Sequence, residues 1–180
     1  MRIISGIHKG RKIIAPKKLP VRPTTDMAKE SLFNILRNHY NFTQIVVLEL
    51  YAGTGNISYE FASRGSRSIT AVDQDYRCVK FIDQTAEKLD MPITTMKSEV
   101  LDYLKHSNER FDLIFADPPY DMEVQLFEDI VSLTFKRDLL KQDGTLVIEH
   151  SKHTTIDKHK SHIETRSYGG SAFSFFENPV

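Results

Sequence analysis

From about residue 45 the chain alternates short apolar runs with longer stretches whose apolar positions recur every three or four residues. Ile45 to Leu50 (IVVLEL) reads as a buried strand. Asn56 to Arg64 reads as a helix stopped by Gly65, a residue that tolerates the left-handed cap conformation. A second strand, Ile69 to Val72, leads into a helix with Val79, Ile82, Ala86 and Leu89 along one face. Ile93 to Met96 is a weak third strand, and Val100 to Leu104 a short helix. Leu113 to Ala116 is the fourth strand, followed by a helix near Glu123 to Phe135. After a turn at Gly144, Thr145 to Ile148 makes the fifth.

Such alternation predicts a parallel sheet with right-handed crossovers and helices on both faces. Ligands in these sheets sit beyond the carboxyl ends of the strands, where strand order reverses. The tail breaks the rhythm. His162 to Ser167 and Ala172 to Glu177 are joined through Tyr168-Gly169-Gly170-Ser171, without room for a crossover helix. They should pair antiparallel at one edge. The expected fold is a Rossmann-like α/β domain: a mostly parallel seven-stranded sheet with an antiparallel last strand.

Residues 1–40 carry another pattern. Ile3, Ile4, Ile7, Ile13 and Ile14 interleave with charge, and His8-Lys9-Gly10 supplies a turn, which predicts a short hairpin. Pro23 disfavours helix at Arg22, Thr25 or Asp26 can cap, and Met27 to Leu36 then runs as a helix with Leu32, Ile35 and Leu36 as its buried stripe. We therefore divide the chain into a basic extension, residues 1–40, and an α/β domain, residues 41–180.

Charge changes the picture only locally. Lys plus Arg equals Asp plus Glu, 24 each, yet Arg2, Lys9, Arg11, Lys12, Lys17, Lys18 and Arg22 all precede the first acid, Asp26. Such a patch attracts a polyanion through its phosphates without reading sequence. The plainer alternative is a solvated basic tail. The interleaved isoleucines favour an ordered surface. No apolar run approaches the roughly 18 residues that span a bilayer, and the opening MRIISGIHKG lacks the apolar core of a signal peptide. A single cysteine, Cys78, cannot form an internal disulfide or a cysteine-based zinc site alone. A cytoplasmic location is expected.

Two motifs carry chemistry. Glu49-Leu50-Tyr51-Ala52-Gly53-Thr54-Gly55 places a glycine-rich turn between the first strand and its helix, where backbone approaches a ligand closely. A dinucleotide fingerprint needs a third glycine at the position occupied by Ser58. Glu49, a carboxylate just before the turn, is a poor neighbour for pyrophosphate and a good partner for an ammonium, which points to S-adenosylmethionine as cofactor. Asp73, at the end of the second strand, stands where a carboxylate accepts ribose hydroxyls. Asp75 reads as a helix N-cap. Glu99, after the third strand, is a candidate acceptor for the adenine amine, or else a surface acid at a helix start.

The second motif, Asp117-Pro118-Pro119-Tyr120, follows the fourth strand. Two prolines remove two N–H donors and leave an acceptor-only loop, suited to an aromatic amine that donates. Tyr120 can stack on the base bearing that amine. His150, His153, His159 and His162 show two HxxH spacings, but interspersed lysines and the lack of a carboxylate pattern read as a solvated polar connection, with no metal expected.

On these residues the chain resembles the RsmD family of 16S ribosomal RNA guanine-N2 methyltransferases. The resemblance runs end to end, through Met1-Arg2-Ile3-Ile4-Ser5-Gly6, Lys9-Gly10-Arg11-Lys12, Arg22-Pro23-Thr24-Thr25-Asp26, Tyr51-Ala52-Gly53-Thr54-Gly55, Asp117-Pro118-Pro119-Tyr120 and Tyr168-Gly169-Gly170-Ser171. Tyr51 stands where that family more often has Phe, and Glu99 where it has Asn or Asp. The resemblance implies methyl transfer to the N2 amine of a guanine in 16S rRNA, within the small ribosomal subunit or an assembly intermediate. No membrane partner and a monomeric chain are expected. Arg2, Lys9, Arg11, Lys12 and Arg22 are the expected RNA contacts, Arg22 having a structural ion pair as its alternative.

Three other readings compete. An adenine-N6 DNA methyltransferase uses the same acceptor loop but needs a larger target-recognition region than about 40 basic residues. A non-catalytic RNA-binding assembly factor would not require intact GTG and DPPY elements. An NAD-dependent oxidoreductase would favour the missing glycine.

Overall fold

The computed structural model describes residues 1–16, 19 and 25–179. Along the chain it forms α1 (Asp26–Leu36), a 3-10 turn (Phe42–Gln44), β1 (Val46–Leu50), α2 (Asn56–Ser63), β2 (Ser68–Asp73), α3 (Tyr76–Leu89), β3 (Ile93–Lys97), α4 (Val100–His106), β4 (Phe111–Ala116), α5 (Val124–Lys136), β5 (Leu140–Ser151), β6 (His162–Tyr168) and β7 (Ser171–Glu177). One seven-stranded sheet runs β3-β2-β1-β4-β5-β7-β6. The first five strands pair parallel. β7 inserts antiparallel between β5 and β6. This is the Rossmann-like arrangement expected from the pattern, with order reversing between β1 and β4.

Burial on both faces explains why the central strands read as continuous apolar runs. Val47, Ile69, Leu113 and Phe115 face a core shared with α1, α2 and α3. Leu48, Leu50, Ile114, Leu146 and Ile148 alternate to the other face, against Phe127 and Ile130 of α5 and Leu104 of α4. Thr25 caps α1, its hydroxyl accepting from the Ala28 amide at 3.2 Å. Gly65, at φ +92, ends the turn after α2 as expected.

The N-terminal hairpin forms as expected: the Ile3 amide donates to the Arg11 carbonyl at 3.0 Å, Gly10 to that of Ile3 at 2.9 Å and Ile13 to that of Met1 at 3.0 Å, around an antiparallel bridge between Arg2 and Lys12. α2 also holds it: the amides of Ile4 and Ser5 donate to the two oxygens of Glu60 at 2.9 and 3.0 Å, and Ile7 donates to the carbonyl of Ser63 at 2.8 Å. Ile3 and Ile13 are buried, whereas Ile7 and Ile14 are exposed. Two expectations need correction. The fifth strand is much longer than expected. It absorbs Gly144 in an irregularity of register and continues to Ser151, because β7 pairs with it from Thr145 to Ser151. Consequently His150 is no solvated connector but a buried strand residue, bonded to the Ser174 hydroxyl and the Ser151 carbonyl, each at 2.8 Å. His159 stacks on Phe135, and His162 bonds to Thr165. No helix among the described residues is long and apolar enough to cross a membrane.

Candidate active site

The carboxyl ends of β1, β2 and β4 open into one cavity of about 550 Å³, within the range of small-ligand sites. The turn after β1 forms its floor. Tyr51, Gly53 and Gly55 all take positive φ, at 57, 55 and 77°. For the bulky Tyr51 this conformation costs roughly 1–2 kcal/mol, which the surrounding bonds must offset. They are specific: the Ala52 amide donates to the Val72 carbonyl at 3.0 Å, and the Gly53 amide to Asp73 Oδ2 at 2.8 Å. The other Asp73 oxygen takes the amide of Asp75 at 2.8 Å. Asp73 thus fixes the bend as well as facing the cavity.

Glu49 is 3% exposed. Its Oε2 accepts from the Ser58 amide at 2.9 Å and from the Ser58 hydroxyl. Burial pushes its carboxyl up to about 7, although both Ser58 bonds pull the other way. Glu99 caps α4 through the Asp102 amide at 3.2 Å while lining the cavity. Asp75 caps α3 as expected and pairs with Arg77, whose bonds hold its carboxyl down at about 2.

Asp117, Pro118, Pro119 and Tyr120 line the same cavity. The Asp117 amide is tied to the Leu50 carbonyl at 3.4 Å, so the loop leaves β4 beside the end of β1. Tyr120 donates its hydroxyl to Glu149 Oε1 at 3.0 Å and meets the Ser171 hydroxyl. Glu149, Ser171, Thr25 and Asn56 also line the cavity, and sequence reasoning missed Glu149 and Ser171 altogether. A readable signal existed for Glu149, an acid near the carboxyl end of a central strand like Glu49 and Asp117. Ser171 was hidden inside a turn motif.

The lining is chemically one-sided. Glu49, Asp73, Asp75, Glu99, Asp117 and Glu149 all contribute, and no Lys, Arg or His does so among the described residues. Such a wall receives a cation or a donor-rich ring and repels a pyrophosphate. Among the described residues no cluster of His, Cys, Asp and Glu is arranged to hold a metal.

Of the basic residues expected at the surface, Lys9, Arg11 and Lys12 are exposed, and Arg2 pairs with Asp26 at 3.3 Å. Arg2 and Lys12 line a second, shallower hollow that shares Thr54 with the main cavity. Arg22, Lys17 and Lys18 lie outside the described residues.

A family model described as "Conserved hypothetical protein 95" matches residues 1–177. A Haemophilus influenzae protein named Ribosomal RNA small subunit methyltransferase D is 30% identical over 159 residues, covering 84% of this chain and 79% of that one. Among solved structures, a hypothetical protein of Thermus thermophilus superposes with a TM-score of 0.83 at 25% identity, over 99% of both chains. The T. thermophilus 16S rRNA N2 methyltransferase RsmC, solved with AdoMet and guanosine, superposes at 0.72 and 19% identity over 89% of this chain and 45% of its own, a likeness of fold alone. With its fold, its glycine turn and its Asp-Pro-Pro-Tyr loop on one cavity, and a family model matching nearly its whole length, the chain belongs to the RsmD family of methyltransferases.

Proposed function

We propose that the chain transfers a methyl group from S-adenosylmethionine to the exocyclic N2 amine of a guanine in 16S rRNA of the small ribosomal subunit. One observation carries the reading: the acidic glycine turn and the Asp117–Tyr120 loop, whose two prolines carry no N–H, line a single cavity. The names of the relatives support ribosomal RNA as the substrate.

The lining fits this cofactor. Glu49 suits an ammonium, Asp73 a ribose diol and Glu99 the adenine amine, with Tyr51, Ala52, Gly53, Thr54 and Gly55 along the turn; the absence of cations in the described wall disfavours a dinucleotide. When bound, S-adenosylmethionine supplies a methyl on a sulfonium that departs as a neutral thioether. The rest falls to the chain. An exocyclic amine is a weak nucleophile because its lone pair is delocalised into the ring. Asp117 and the Pro118 carbonyl accept its two protons, draw nitrogen towards tetrahedral geometry and aim the lone pair. Pro119 keeps the loop rigid and free of competing donors, and Tyr120 packs on the base. Positioning and polarisation supply the acceleration, with no strong base needed beforehand; once methylated, the cationic nitrogen releases one of its two original protons through the acceptor Asp117 to solvent. Arg2, Lys9, Arg11 and Lys12 of the extension, residues 1–40, hold RNA phosphates for the α/β domain, residues 41–180, and Arg22, outside the described residues, is assigned the same role.

The test is methyl transfer from labelled S-adenosylmethionine to small subunits lacking the modification, to naked RNA and to DNA, followed by nucleotide mapping. Transfer to a guanine N2 of 16S rRNA is the expected result. Transfer to adenine N6 of DNA, or tight NAD binding with none of S-adenosylmethionine, overturns the proposal.

A further inference from the structure

Glu149 sits on β5, 3% exposed, and lines the same cavity as the Asp117 loop. Ala116 of β4 and Ile148 of β5 are register partners in a parallel pair. Asp117 leaves the end of β4 one residue after Ala116, and Glu149 follows Ile148 on β5, so the two are neighbours at the carboxyl edge of adjoining strands, and both line the cavity. The Tyr120 hydroxyl, 3.0 Å from Glu149 Oε1, anchors the carboxylate to the loop that grips the amine. Two acceptors are therefore placed side by side on the wall that faces the substrate.

That arrangement matches one base. On the Watson–Crick edge of guanine the N2 amine adjoins N1–H, a second donor. In adenine and cytosine the exocyclic amine adjoins a ring nitrogen that only accepts. An ionised carboxylate also only accepts, so it rewards guanine and leaves both partners unpaired against the other two. We propose that Glu149 is the specificity-determining residue of this enzyme, accepting guanine N1–H while Asp117 and the Pro118 carbonyl hold the N2 protons. The inference rests on the guanine-N2 reading above and adds the source of its selectivity. The bond has a second effect: pulling on N1–H pushes electron density through the ring towards N2.

The experiment compares small-subunit RNA bearing, at the mapped position, either guanine or 2-aminopurine, which keeps the N2 amine but has no proton on N1. The wild-type chain should favour guanine in kcat/KM by about 100-fold or more, as a site built to pair with a donor does. Glu149→Gln offers an amide that can turn its NH2 to N1, so the gap should narrow at least about tenfold, mostly through faster transfer to 2-aminopurine. Affinity for S-adenosylmethionine, read by calorimetry, should stay within about twofold, because the donor side is untouched. Wild-type rates within about threefold of each other on the two RNAs, or an unchanged ratio in a variant that still binds cofactor, overturns the inference. Should the variant fail to fold, the wild-type pair decides alone. Failure of the wild type to methylate guanine in natural RNA sinks the reading beneath as well, whereas guanine transfer without discrimination sinks only the role of Glu149.

Discussion

The ammonium of Lys29 lies 3.5 Å from the carboxylate of Glu60, with both side chains fully buried. Lys29 also donates to the Arg2 carbonyl at 2.6 Å and to Asn56 Oδ1 at 2.9 Å. Glu60 also holds Arg64 and the amides of Ile4 and Ser5. The pair thus joins the first strand-like segment, α1 and α2. Burial lowers the Lys29 pKa, against the pull of Glu60.

Replacing Lys29 by Met should leave a buried carboxylate short of a partner and cost about 3 kcal/mol. Urea denaturation measures this, and amide exchange at Ile4 and Ser5 should quicken. A loss below about 1 kcal/mol would mean that the pair does not hold the joint.

Glu49 predicts a pH dependence. Its carboxyl is raised to about 7 by burial from the ordinary 4.5, so the folded chain binds this proton more tightly than the unfolded one. The resulting stability is complete below 4.5 and fades as pH rises through about 7. An ammonium ligand reverses the preference. S-adenosylmethionine should therefore bind more tightly as pH climbs through that window, and release a proton on binding. Calorimetry in buffers of different ionisation heat reads both. Glu49→Gln should abolish the proton release, and a flat affinity in the wild type would remove Glu49 from the ammonium site.

Gly55→Ala tests the turn. At φ +77 an added Cβ would lie 2.9 Å from Ile82 Cγ1 and 3.0 Å from Tyr59 Cζ. The left-handed conformation alone costs about 1–2 kcal/mol, so Tm should fall by roughly 2–8 °C and cofactor affinity should drop. An unaltered Tm would show that the bend can adapt.

Asp117→Ala should lower kcat about 100- to 1,000-fold, the usual effect of removing one polarising group, while RNA affinity holds. Single-turnover rates beside filter binding separate the two, and unchanged turnover would refute the catalytic assignment.

Reversing the charge of Lys9, Arg11 and Lys12 should weaken RNA binding and flatten its salt dependence, the log–log slope falling by about 2 for three lost phosphate contacts. Cofactor affinity should not change. Identical slopes would move the RNA surface elsewhere.

The strands, their order of appearance and both motif loops were legible because burial on two faces leaves uninterrupted apolar runs, and because glycine and proline mark the breaks. What stayed hidden depends on residues distant in sequence. Lys29 falls at helical spacing from Leu32, Phe33 and Leu36, in the core stripe of α1, and only Glu60 on another helix makes that position tenable. His150 looked solvated until β7 covered it. The hairpin was legible in its isoleucines and its turn, but the grip of Glu60 and the Ser63 carbonyl on the amides of Ile4, Ser5 and Ile7 was not, because α2 is distant in sequence.

The placement of Asp117, just past the end of β4, beside Glu149 of the adjoining β5 divides labour across the sheet. Everything that would hold the methyl donor hangs from β1, β2 and the start of α4, whereas the acceptor half is built by β4, β5 and the first residue of β7. A lineage could retune which nucleobase it modifies through one side chain on β5, leaving the donor half inherited intact.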